Sequence, residues 1–197
     1  MPYDTLIKNG TLIDGTGAPA RRGNIALKDG KIVGLGEVDG LADHIIDAGD
    51  CIVAPGFIDP HTHYDAQIFW DPALTPSSWH GVTSVVMGNC GVGLAPCKES
   101  ARDIAMHDLV NVEAIPYDVL KQGICWEWES FPEYMAAAER LSPALNLAFL
   151  APLTPFRHYV MGPESMERAA TVEETKQICA LLGEAIDAGS FGFSSTV

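Results

Sequence analysis

Two histidines one residue apart, His61 and His63, follow an apolar stretch in PGFIDPHTHYD, residues 55–65. Read as the continuation of a strand, the alternation of side chains puts both imidazoles on one face and Thr62 on the other. Neutral imidazole is the commonest protein ligand for zinc-like ions, so the pattern describes two ligands for one metal. It equally describes a pair of partly exposed loop histidines. Gly56 after Pro55 permits a sharp turn, Phe57 and Ile58 are core-type residues, and Asp59 shares the histidines' face as a candidate acceptor that would orient an imidazole. Asp65 is either a second supporting carboxylate or a turn residue.

A third candidate ligand is Cys90. It closes the strand-like run VTSVVMGN, residues 82–89, and precedes a Gly-rich loop. A thiolate is a good zinc ligand, and bound metal would hold it deprotonated; the ordinary role of a free cysteine is that of a small buried hydrophobe. Arg157 and His158 follow a later strand and are candidates to meet a substrate carboxylate, or solvated loop residues. Trp126 and Trp128 either line a pocket or pack a helix against a sheet. His44, His80 and His107 show no ligand spacing, and Cys51, Cys97, Cys125 and Cys179 read as structural.

The elements that must position these groups fall into two domains, residues 1–54 and 55–197. The first reads as a small β module of short antiparallel strands. Hairpin turns are predicted at Asn9-Gly10 and Asp29-Gly30, and a third strand pair, HIID with CIVA, around residues 48–50. After Pro55, strands alternate with helices, which implies parallel βαβ units. A helix over 101–113 faces inward with Ala101, Ile104, Ala105, Leu109 and Val112 and is ended by Pro116. Capping boxes at Ser130/Glu133 and Thr171/Glu174 open two more helices. The first runs to about Arg140. The second turns Ile178, Leu181, Leu182, Ala185 and Ile186 inward and stops at Gly189. Strands are predicted at residues 146–150 and in FGFSSTV, residues 191–197. The four strands of this part are half of an eight-stranded barrel. Functional groups in such sheets sit at the C-terminal ends of strands, which places His61, His63 and Cys90 on one rim.

Composition narrows the function classes. A net charge of −14 over 197 residues argues against a nucleic-acid partner, since such binding neutralises phosphates with Lys and Arg. There is neither a basic-then-apolar leader nor an apolar run of about 20 residues, so no membrane partner and a cytoplasmic, soluble protein are expected. Five cysteines without a repeated spacing do not form a disulfide framework.

The segments IKNGTLIDGTG, PGFIDPHTHYDAQIFWDP, SSWHGVTSVVMGNCGVGLAPC and WEWESFPEYM together resemble the amidohydrolase superfamily, in particular its D-aminoacylase (N-acyl-D-amino-acid deacylase) branch, along essentially the whole chain. The resemblance implies an α/β fold: the first half of a metal-dependent-hydrolase TIM (β/α)8 barrel, preceded by a small β-sandwich module. Residues 1–54 would be half of a composite sandwich and 55–197 the first four βα units of a truncated barrel. It implies one or two Zn2+ ions, with His61 and His63 on one. Cys90, 27 residues beyond His63, would hold the other or bridge the two where relatives use a carboxylated lysine. The remaining ligands and the general-base aspartate would lie beyond Val197, so the chain alone is expected to be an inactive and poorly stable fragment. The implied reaction is hydrolysis of a C–N amide bond, and the implied partner a small-molecule N-acyl amino acid or related amide; oligomeric state is left open. The alternatives are a cyclic-amide hydrolase of the dihydroorotase or hydantoinase kind and a non-catalytic metal-binding remnant. One departure is APLTPFRHYVMG, residues 151–162, with Leu153 where the branch tends to have a histidine; it puts the acyl-D-amino-acid specificity in question.

Overall fold

A computed structural model describes residues 2–195. The chain divides into two compact units, Met1–Gly56 and Phe57–Val197.

The first unit is one five-stranded sheet of β1 (Tyr3–Leu12), β2 (Arg21–Lys28), β3 (Lys31–Gly36), β4 (Ala42–Asp47) and β5 (Ile52–Val53), in the order β3-β2-β1-β4 with β5 also on β1. Asp29-Gly30 is a hairpin turn, with φ of 51° and 69° at its two residues, as a tight two-residue connection requires. Asn9-Gly10 is not. There β1 runs straight on, and Asn9, at φ 62°, forms a bulge in the pairing with β2. The bulge is held from the side: the Asn24 side chain accepts from the Asn9 amide at 2.8 Å, and Asn9 Nδ2 donates to Asp47 at 3.0 Å. HIID and CIVA do not pair with each other either. Both run parallel to β1, β4 along its first half and β5 along its second. The jog between them follows the bulge, because Ala48 N–H donates to Lys8 O and Thr11 N–H to Cys51 O. Leu6, Leu12 and Ala26 are buried, while Ile32, Val33, Ile45, Ile46 and Ile52 are largely exposed.

The second unit is built on a four-stranded parallel sheet, β6 (Phe57–Asp59), β7 (Val82–Met87), β8 (Asn146–Pro152) and β9 (Gly192–Ser194), in that spatial order. Among the described residues, β6 and β9 are its edges. Phe57 and Ile58 are therefore 69% exposed, against the core role expected of them, and Phe191 and Phe193 are exposed at the other side. Thr196 and Val197 of the predicted last strand lie outside the described residues. Helices α1 (Arg102–Glu113), α2 (Tyr117–Gly123), α3 (Phe131–Arg140), α4 (Leu153–Met161) and α5 (Val172–Asp187) complete the unit. The apolar core includes Val85, Met87, Leu109, Tyr134, Phe149 and Phe156.

Both capping boxes are present, with Ser130 and Thr171 each accepting from the amide three residues on and the glutamate reaching back. The predicted faces need small corrections: α1 buries Ala105, Met106 and Leu109 while Val112 is exposed, and Ile186 of α5 is exposed. The helix α1 stops at Ala114, whose left-handed φ of 53° returns its amide to Val110 O before Pro116 is reached. Pro116 instead precedes α2, which was not foreseen. The segment Leu153–Met161, read as a loop, is α4. Its Pro155 sits in the first turn, where a missing amide costs nothing, so proline opens this helix rather than breaking it. No helix among the described residues is long and apolar enough to cross a membrane.

Candidate metal centre

The site forms where β6 and β7 end. Past Met87 the chain turns sharply at Gly88 (φ 77°), so close to β8 that a Cβ there would stand 2.0 Å from the Leu150 carbonyl oxygen. Cys90 follows in the left-handed region at φ 54°, ψ 22°, an uncommon conformation for a residue with a side chain and one that clusters at functional sites. The turn is pinned by polar contacts. The Val86 carbonyl accepts from Thr62 N–H (3.0 Å), Thr62 Oγ1 (2.7 Å) and Asn89 Nδ2 (2.9 Å), which ties the His61–His63 segment to the end of β7. Ser194 Oγ, at the end of β9, accepts from Gly91 N–H at 2.9 Å and donates to Gly88 O.

This scaffold brings three of the sequence-predicted residues together. The donor atoms of His61, His63 and Cys90 all lie within 4.8 Å of one another, with His61 Nε2 3.1 Å from Cys90 Sγ and the two imidazole centroids 5.5 Å apart. β6 ends at Asp59, so neither histidine is on the strand itself; the backbone contacts of Thr62 hold them at its mouth. Burial lowers the pKa of His63, partly offset by Glu113, which keeps the imidazole neutral and its lone pair available. Its Nδ1 is buried, and no donor or acceptor among the described residues reaches it. Two imidazoles and one thiol, with one imidazole nitrogen buried and unpartnered, fit a borderline-soft divalent ion such as zinc.

The other candidates fall elsewhere or act differently. Asp59 accepts from His61 N–H at 3.2 Å and so holds the backbone of the ligand segment. Asp65 is buried, 2% exposed, and not an exposed turn residue. Its carboxylate accepts from Gly88 N–H at 3.4 Å and its carbonyl from the Tyr134 hydroxyl at 3.0 Å, and burial pushes its pKa up to about 7. Arg157 and His158 are not brought to the cluster. They lie on α4, where Arg157 donates to the carbonyls of Ser165 and Arg168. His158, 5% exposed, has one ring nitrogen 2.5 Å from Ser165 Oγ and the other 3.0 Å from Asp108. With both nitrogens engaged inside the fold, the substrate-carboxylate role is replaced by a clamp joining α1, α4 and the turn after it. Trp128 is buried, stacked on Phe69 at 4.6 Å with its indole N–H on Leu94 O, which is core packing. Of the cysteines read as structural, Cys97 is buried with its thiol pKa pushed up to about 11 by burial, whereas Cys51, Cys125 and Cys179 are exposed.

Two residues escaped the sequence reading. Ser194 has no pattern that would single it out. Glu113, the last residue of α1, has its carboxylate 3.6 Å from His63 Nε2 and lines, with Asp59, His61, His63, Tyr64 and Gln67, an open cavity of about 380 Å³. An acid at a helix C-terminus opposes the helix dipole. That misplacement was the available signal.

Comparison with known proteins agrees with this layout. The sequence profile of the amidohydrolase family matches residues 44–194. Over 196 residues the chain is 36% identical to a D-aminoacylase of Alcaligenes xylosoxydans xylosoxydans, covering 99% of this chain and 38% of that protein. It is 38% identical over 193 residues to an N-acyl-D-aspartate deacylase of the same organism, covering 98% and 36%. Among solved structures, a D-aminoacylase described as having a binuclear metal centre superposes with a TM-score of 0.83 at 34% identity, over 98% of this chain and 38% of that one. An N-acyl-D-glutamate deacylase of Bordetella bronchiseptica, complexed with zinc and a phosphonate inhibitor, gives 0.80 at 33% identity, over 99% and 38%. The chain thus spans 38% or less of the length of these relatives. With the profile matching from β4 to the end of β9 and the parallel sheet superposing on such structures, the chain belongs to the amidohydrolase family.

Proposed function

We propose that this chain supplies the first metal ligands of a hydrolase that cleaves C–N amide bonds other than peptide bonds, removing the acyl group from N-acyl-D-amino acids. The observation that carries the reading is the convergence of His61, His63 and Cys90 within 4.8 Å at the mouths of two adjacent parallel strands. The deacylase names of the relatives at 36–38% identity support the substrate class. In this reading residues 1–54 contribute half of a composite sandwich and residues 55–197 the first four βα units of a barrel.

A divalent ion such as zinc, when bound, supplies Lewis acidity toward the amide carbonyl and lowers the pKa of a water molecule. The protein's part here is to hold that ion. The left-handed turn aims the Cys90 sulfur at the histidines, and burial keeps His63 neutral. Thr62 and Asn89, through Val86 O, fix the separation of the two ligand segments. Glu113 and Asp59 line the open cavity beside the histidines, which a substrate would occupy.

The test is metal titration of the chain by calorimetry, beside hydrolysis assays of the protein the gene encodes on paired N-acyl-D- and N-acyl-L-amino acids. The reading expects zinc uptake that Cys90→Ser abolishes, and turnover of the D series alone. Zinc binding indifferent to Cys90→Ser refutes the metal centre; turnover of cyclic amides but not of N-acyl-D-amino acids refutes the substrate class.

A further inference from the structure

Cys90 sits at φ 54°, ψ 22°, with its sulfur 3.1 Å from His61 Nε2. A left-handed residue with a side chain costs free energy and persists where surrounding groups over-determine it. Those groups are therefore part of what aims the thiol. Asp65, just beyond the histidines, meets Gly88 N–H at 3.4 Å, longer than the about 2.7–3.2 Å of an ordinary N–H···O bond. A firmer hold comes from Ser194, 103 residues beyond Gly91. Its Oγ accepts from Gly91 N–H at 2.9 Å and donates to Gly88 O. The Gly91 amide belongs to the peptide bond that leaves Cys90, and Gly88 O lies on the approach to it. One hydroxyl, donating and accepting at the same oxygen, thus spans the cysteine. Ser194 pairs with Pro152, the last residue of β8, and β8 separates β9 from β7 in the sheet. The side chain makes across β8 a link that the sheet ladder cannot.

We propose that Ser194 is a positioning residue of the metal centre: through its hydroxyl, β9 holds the peptide groups on both sides of Cys90 and fixes the thiol toward the histidines. The proposal rests on the metal-centre reading and adds to it a dependence of a ligand after the second parallel strand on a side chain of the fourth. Removing the hydroxyl takes from Gly91 N–H its acceptor on β9 and from Gly88 O its donor, while the left-handed turn keeps its conformational cost. The turn then relaxes, and the sulfur loses its aim. Ser190 supplies the contrast. It too is a serine beside β9 with two backbone groups in reach, Phe149 O at 3.0 Å and Gly192 O at 2.8 Å, but neither belongs to the cysteine turn.

The experiment compares wild type, Ser194→Ala, Ser194→Thr, Ser190→Ala and Cys90→Ser in the whole chain. Zinc affinity is measured by calorimetry, and the cysteine–metal bond by the sulfur-to-metal charge-transfer absorption of cobalt(II) in place of zinc. Amide hydrogen exchange at Gly91 reads the turn without any metal, and thermal melting shows which variants are folded. Ser194→Ala should weaken zinc about 10–100-fold, the usual loss for a group that orients a ligand. It should also diminish the cobalt–thiolate band and speed exchange at Gly91, while the Thr62 amide, held by Val86 O, keeps its protection. Ser194→Thr keeps the hydroxyl and should restore most of the affinity. Ser190→Ala should lower the melting temperature and leave zinc affinity and the band as in wild type. If Cys90→Ser abolishes zinc binding while Ser194→Ala stays within about twofold of wild type, the positioning role falls and the metal centre stands. Equal losses in Ser194→Ala and Ser190→Ala, or a folded Ser194→Thr as weak as Ser194→Ala, overturn the proposal in the same way. Should Ser194→Ala not fold, wild type decides: a Gly91 amide that exchanges as fast as an unprotected one refutes the hold on the turn, and a protected one together with the affinity of Ser194→Thr supports it. Zinc binding insensitive to Cys90→Ser removes both the metal centre and the proposal.

Discussion

Replacing Gly88 by alanine separates two costs that a left-handed glycine usually hides. At φ 77°, ψ 28° any Cβ is strained, by roughly 1–2 kcal/mol for a left-handed alanine. At Gly88 there is a second cost, because the Cβ would stand 2.0 Å from the Leu150 carbonyl oxygen and 3.0 Å from its carbon, so that backbone must retreat by more than 1 Å. Leu150 cannot retreat freely: it is paired with Gly192 in the β8–β9 ladder. An overpacked site of this kind adds about 1–3 kcal/mol, for a total of about 2–5 kcal/mol. Gly81 is a matched control. Its φ of 80° and ψ of 12° are nearly the same, but its Cβ would meet only the Phe57 ring at 3.6 Å, an ordinary contact. Gly81→Ala should therefore show the conformational cost alone. Urea unfolding of both variants measures the difference, and zinc calorimetry reports whether the turn still delivers Cys90. Losses equal to within about 0.5 kcal/mol, or an unchanged zinc affinity in Gly88→Ala, would refute the argument that close approach to β8 sets the cysteine's position.

Cys97→Ser should leave zinc affinity unchanged, because Cys97 is buried with its sulfur near Lys98 O and is not one of the clustered donors; a loss comparable to that of Cys90→Ser would mean that the wrong cysteine was assigned. His158→Leu removes the partner of both Asp108 and Ser165 and should lower unfolding stability by about 2–3 kcal/mol with zinc binding intact, which denaturant titration and calorimetry together would show. Glu174 is held at a pKa of about 2 by Arg168 and by the amide and hydroxyl of Thr171, below its ordinary value of 4.5. Its contribution to stability is therefore present above pH 4.5 and disappears as the pH falls toward 2, so the melting temperature of wild type should converge on that of Glu174→Gln across this window. Parallel curves down to pH 2 would count against the contact.

What was legible in the chain was local. The Asp29-Gly30 hairpin and both capping boxes depend on groups within four residues of each other, and each appears where the spacing put it. The alternation of strands and helices after Pro55 likewise sufficed for a parallel sheet, since a strand followed by a helix has few other ways to bury its apolar residues. What only the tertiary structure decided depends on partners far along the chain. Asn9-Gly10 carries the same turn chemistry as Asp29-Gly30, yet it bulges instead, because β4 and β5 bind β1 on either side of it and Asn24 and Asp47 satisfy it there. The prolines of 151–162 look like loop residues until β8 ends at Pro152 and α4 begins, which leaves Pro155 in a first turn that asks nothing of its missing amide. His158 has no spacing that reveals Asp108, 50 residues earlier, and its role as a clamp follows from a contact between α1 and α4 that no local pattern signals. Glu113 stands 50 residues from His63, and its carboxylate comes within 3.6 Å of that imidazole where α1 stops before Ala114. Residue types name the chemistry that a site can do, while distances between segments remote in sequence decide which of those residues share it, and those distances are set by the burial of the whole core rather than by any short run of residues.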